Sequence, residues 1–134
     1  MTAAERLPPG EEEIAALAEA ALAGLPAEMR AACSGLVIRV ADFADEETLA
    51  ELGIGDPFEL TGLYRGTALT EKSVADWGTL PDEVWLYRRA ILEEWIERAD
   101  APLGDIVANV LVHEIAHHFG WSDEEIAAVD DWRL

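Results

Sequence analysis

Residues 110–120, VLVHEIAHHFG, set three histidines and one glutamate into an apolar run. His113 and His117 are four apart, so on a helix they share a face about one turn from each other. Two imidazoles at that spacing can reach a single metal ion. Zinc takes nitrogen, sulfur and carboxylate ligands, and a catalytic zinc keeps three protein ligands and one open position. Glu114 is rotated about 100° around the helix from His113. It is placed to accept a proton from a water that the metal acidifies rather than to bind the metal itself. This is the logic of the H-E-x-x-H pattern, two ligands and a general base. The pattern fixes only three positions, and a helix with a polar patch satisfies it equally well, so the surroundings must decide.

Ile106, Val107, Val110 and Leu111 form one stripe ahead of the motif, and Val112, Ile115 and Phe119 line another side. A helix that is apolar almost all round is a buried, central one. Glu114 falls close to the first stripe, where an unpaired carboxylate is costly; a metal centre beside it would give the placement a reason. Gly120 can take the left-handed conformation that ends a helix and turns the chain. Asp123, three residues on, could then return its carboxylate as a third ligand. The competing role for Asp123 is the first turn of a further helix capped by Ser122 and Glu125, where the helix dipole favours it; the two roles are compatible. His118 is expected as a packed core histidine or as a hydrogen-bonding support behind the ligands. Asp130 and Asp131 read as a solvated helix face, with Asp130 a reserve ligand.

The segment HEIAHHFGWSD, residues 113–123, resembles the H-E-x-x-H-x-x-G-x-x-D signature of zincin-like metallopeptidases, relatives of the metzincins with aspartate as third ligand. GLVIRVADF, GLYRGTALTEKS, LPDEVWLYRRAILEEW and VHEIAHHFGWSDEEI also come in the order of the small bacterial members of that family. The resemblance implies a minimal zincin-like α+β fold, with a small mixed sheet packed against an active-site helix and flanking helices. It implies one Zn2+ held by His113, His117 and Asp123, with Glu114 as the catalytic base and a peptide or protein as substrate. Larger metzincins carry a methionine turn after the third ligand; here the only methionines are Met1 and Met29.

The elements that must position these residues can be read from periodicity. Residues 1–9 form a loose lead ending in Pro8-Pro9, and residues 10–134 are expected to be one domain. EEEIAALAEAALAGL, a short piece at Ala27 to Ala32, DEETLAELG, AILEEWIERA, LGDIVANVLVHEIAHHFG and SDEEIAAVDDW read as helices. GLVIRVADF and Glu83 to Tyr87 read as strands, with one more short strand expected near Arg65 to Leu69. No strict β-α-β alternation, glycine-rich nucleotide loop or internal repeat is present.

Composition narrows the partners. Nine Lys+Arg against 28 Asp+Glu give a formal charge of −19, which repels phosphate backbones and anionic membranes. Nucleic acid and membrane are therefore not expected as partners. The lone Cys33, among small residues, predicts a packed thiol and no internal disulfide. With no signal-peptide pattern at the N-terminus, a cytoplasmic protein is expected, as a monomer or weak homodimer. Two other stretches could serve the site. In LTGLYRG, residues 60–66, Tyr64 or Arg65 could stabilise an oxyanion or contact substrate, or the stretch is a turn with a packed tyrosine. EVWLYRR could offer an edge strand to an extended peptide, or be an ordinary core strand. Trp77, Trp85, Trp95, Trp121 and Trp132 are expected as core or half-buried anchors. Two functions compete: a zinc peptidase, and a non-enzymatic protein in which zinc staples the last helices.

Overall fold

The computed structural model describes residues 8–66 and 82–120. Helix α1 (Glu11–Ala23) opens with Glu11, Glu12 and Glu13, which suit the positive end of its dipole, and buries Ile14 and Ala18 one turn apart. Helix α2 (Ala27–Ala32) starts behind Pro26. Strand β1 (Val37–Ala41) follows. Helix α3 (Glu46–Leu52) is capped by Asp45, whose carboxylate accepts from the Thr48 N–H at 2.7 Å. After a 3-10 turn at Pro57–Glu59 come β2 (Gly62–Arg65), β3 (Glu83–Tyr87) and α4 (Arg88–Arg98). Helix α5 (Leu103–His118) begins behind Pro102, which cannot continue a preceding helix turn and orients the new one.

The three strands make one mixed sheet in the order β1-β3-β2. β1 runs parallel to β3 from Val37↔Glu83 to Ala41↔Tyr87, and β2 runs antiparallel to it, with Gly62 opposite Leu86 and Tyr64 opposite Val84. Side chains alternate across the sheet. Val84 and Leu86 point with Ile38, Val40 and Tyr64 into the main core, which α1 and α5 cover. Tyr87 points the other way, where Ala44, Leu49 and Ala90 close a smaller core with Trp85 and Leu63 packed on it. The described part is therefore an α+β arrangement: a small mixed sheet with α5 as the central helix of its main face.

Of the two readings of EVWLYRR, the core strand is the one observed and the edge strand is not, because β3 has β1 on one side and β2 on the other. Val84, Leu86 and Tyr87 are buried on opposite faces, the condition of a central strand, and its hydrogen-bonding groups go to its neighbours. The third strand lies at Gly62–Arg65, earlier than the segment near Arg65 to Leu69 that the turn-rich sequence suggested. Residues 67–69, the helix expected over SDEEIAAVDDW, and Trp77, Trp121 and Trp132 lie outside the described residues. Trp85 and Trp95 are half-buried as expected, and Cys33 is a buried free thiol whose pKa burial pushes up. Among the described residues no helix is long and apolar enough to cross a membrane.

Burial makes a direct prediction. Leu111 is fully enclosed and Ile96 is 73% exposed. Leu111→Ala will lower the unfolding free energy by about 2–5 kcal/mol, while Ile96→Ala will change it by no more than about 0.5 kcal/mol. Denaturant titration of the two variants checks the contrast.

Candidate metal centre

Helix α5 buries Leu103, Ile106, Val107, Val110, Leu111, Glu114, Ile115 and His118. That recurrence every three or four residues is one continuous stripe against the sheet and α1. Two polar residues, Glu114 and His118, lie within the stripe, and His113 and His117 flank it half-buried. The two flanking rings have their centroids 5.2 Å apart and their planes at 75°. The i, i+4 pairing expected from the spacing is therefore realised on one helix face. Glu114 is 9% exposed, so its carboxyl group stands at the inner border of that pair rather than in open water.

A cleft of ≈ 370 Å³ opens in front of these residues. Its floor is Asn109, Val110, His113 and Glu114 of α5; one wall is residues 59–62, leading into β2, and the other is Glu94 and Arg98 of α4. Gly62 makes this close approach of α5 to the sheet edge possible. A Cβ at position 62 would lie 2.6 Å from Val110 Cγ1 and 3.3 Å from Glu114 Cγ. Nothing in the sequence marked Gly62 as part of the site, because the need for a missing side chain appears only when helix and strand are brought together.

Each remaining candidate can be located. Gly120 has φ 86°, and its N–H donates to the His117 carbonyl at 2.9 Å, so the left-handed turn expected at the end of this helix is present. His118 is 3% exposed. Its Nδ1 lies 3.0 Å from the Tyr64 hydroxyl and 3.4 Å from Asp82 Oδ2, and its Nε2 lies 3.2 Å from the Ala32 carbonyl oxygen. Both ring nitrogens thus face protein partners. Tyr64 stands on the α5 face of the sheet with its hydroxyl at His118. Arg65, one residue on, projects to the opposite face, where its guanidinium donates to Thr48 Oγ1 at 2.5 Å. The alternation of β2 therefore separates the two residues of LTGLYRG that were considered together. Asp82, just ahead of β3, is buried beside His118 and was not anticipated.

Two imidazoles and a buried carboxylate fit a metal that favours nitrogen donors, but two imidazoles alone are an incomplete donor set for zinc. Among the described residues no group of three His, Cys, Asp or Glu side chains gathers as a metal site. Asp123 and Asp130 lie outside the described residues, a short way along the chain from the turn at Gly120.

Two expected outcomes follow from this packing. Gly62→Ala will destabilise the protein by about 1–3 kcal/mol, because Val110 and Glu114 must shift to admit the methyl group; thermal unfolding measures it. The second concerns the two tyrosines. Burial, and then the Asp82 charge and its hydrogen bond, push the Tyr64 pKa well up; burial is also the main cause that raises Tyr87. A folded-state pKa above the unfolded value of about 10 stabilises the protein fully below that pH and loses its effect as pH rises toward the folded value. Phenolate absorbance should therefore appear together with alkaline unfolding; a smooth titration near pH 10 in folded protein would contradict this assignment.

No curated protein matches the chain. A family model described as zincin-like metallopeptidase matches residues 33–133. That span takes in the whole sheet, both walls of the cleft, helix α5 and the His113–His117 pair. With most of its length matched, the chain belongs to the zincin-like metallopeptidase family.

Proposed function

We propose that the protein is a zinc-dependent peptidase in which His113, His117 and Asp123 hold the metal and Glu114 is the general base. The observation that carries this reading is the buried Glu114 next to the His113–His117 imidazole pair, with Glu114 and His113 lining a cleft, in a chain of this family. In the H-E-x-x-H arrangement a glutamate at this place, beside the first histidine, has the role of general base. When bound, zinc supplies Lewis acidity, polarising the scissile carbonyl and bringing the pKa of water toward about 7. Glu114 takes the proton of the attacking water and passes it to the leaving amine.

The cleft is of a size that takes a few residues of an extended peptide. Residues 60–62 border it and lead into β2, an edge strand among the described residues. Peptide addition alongside β2 would use that strand's outer backbone groups, the role the sequence had suggested for β3. The formal charge of −19 disfavours strongly acidic substrates. In this reading residues 10–134 act as one domain, in the cytoplasm, as a monomer or weak homodimer.

Glu114→Gln should retain zinc through dialysis and lose about 10²- to 10⁴-fold in turnover of a peptide library. His113→Ala and His117→Ala should lose the metal, read by elemental analysis. Hydrolysis by Glu114→Gln at the wild-type rate would rule out the general-base role. Loss of stability on chelation with no hydrolysis of any peptide would instead identify a structural zinc.

A further inference from the structure

We propose that Asp82, Tyr64 and His118 form a positioning device that sets metal affinity by holding the last turn of α5, with none of the three touching the ion. The proposal rests on the metal-binding role given above to His113 and His117.

The last turn of a helix is its least constrained part, because its carbonyls lack intrahelical partners and its residues fray. In α5 that turn carries His117, and Gly120 redirects the chain just beyond it. Apolar packing holds the helix from Leu103 to Ile115, and the partly buried Phe119 packs on the same core. Between Ile115 and Phe119 the one fully buried side chain is His118, and it is held by direction-specific bonds. Nε2 faces a carbonyl oxygen, that of Ala32, and so must carry the proton and donate. Nδ1 faces the Tyr64 hydroxyl and the Asp82 carboxylate. The three anchors belong to the end of α2, to β2 and to the residue before β3.

The ring is therefore tied at both nitrogens to distant parts of the chain, and rotation of the α5 terminus would break bonds in a site of low dielectric. Asp82 is itself confined: its side chain lies so close to Gly66 that a Cβ there would overlap it. An apolar residue at position 118 would fill the space with less desolvation, so what the polar cluster adds is orientation. His117 is the adjacent residue, and its ring direction follows the azimuth at which the His118 ring is held.

The test uses the full-length chain and two near-isosteric variants, Tyr64→Phe and Asp82→Asn. Zinc affinity is measured by competition with a chromogenic chelator, the ligand field by Co2+ absorption, and metal-free stability by thermal unfolding. Ile115→Val serves as a control variant destabilised by packing alone. Both polar variants should stay folded, bind zinc about 10- to 100-fold more weakly, and change the Co2+ spectrum. The control should keep wild-type affinity and spectrum. Wild-type affinity in either folded polar variant would overturn the proposal, as would equal loss of affinity in the control. Loss of the metal-free fold in both polar variants would also overturn it, leaving a plain stabilising role. Failure of the wild type to bind zinc would refute the metal site itself, a result distinct from all of these.

Discussion

The structure depends on how closely α5 lies against the sheet. Its stripe from Leu103 to Ile115 is buried, and Ile106, Val107, Leu111 and Ile115 are almost wholly removed from water. At about 25 cal/mol per Å² of apolar surface, such burial is the largest favourable contribution available to a domain of this size. The same contact dictates the chemistry. A helix pressed onto a sheet by one stripe must carry whatever else lies on that stripe inward, and here that includes Glu114 and His118. Gly62 sets the distance of approach at the cleft, and Val110 and Glu114 occupy the space its missing side chain leaves.

Burial of polar groups along the α5 stripe is handled differently at its two positions. His118 is paired at both nitrogens with protein atoms, and no buried polar side-chain atom among the described residues lacks a partner. Glu114 lines the cleft. One polar residue in the stripe thus faces protein at both ring nitrogens, while the other borders the cleft. The imidazole pair flanks this stripe, half-buried.

Strand β2 links the two sides of the fold. Its Gly62 and Tyr64 face α5, while Leu63 and Arg65 face the smaller core, where Arg65 bonds Thr48 near the start of α3. Because the side-chain period of a strand is two, neighbours in LTGLYRG belong to different environments. The family match over residues 33–133 begins near the end of α2, at the buried Cys33, and leaves out α1, although α1 covers part of α5. Helix α1 therefore serves the site through packing, by enclosing the helix that carries it.

Much of the site was legible in residue type and spacing alone. His113 and His117 had to share a face once the segment was a helix, Glu114 had to fall near the apolar stripe, and Gly120 had to allow a left-handed turn. These follow from local geometry, with its periods of 3.6 and 2, and local geometry is written in sequence. The same holds for the helical and strand character of most elements, including Glu83–Tyr87, and for membership of a zincin-like family. What only the tertiary structure decided involves pairs distant along the chain. That β3 is central and β2 an edge depends on which strands meet, and a buried run of β-branched and aromatic residues suits either place. That Tyr64 reaches His118 while Arg65 turns away depends on which face of β2 meets α5. Asp82 and Gly62 were invisible for the same reason: one is a carboxylate just ahead of a strand, the other an absent side chain, and each acquires meaning only from the helix packed against it.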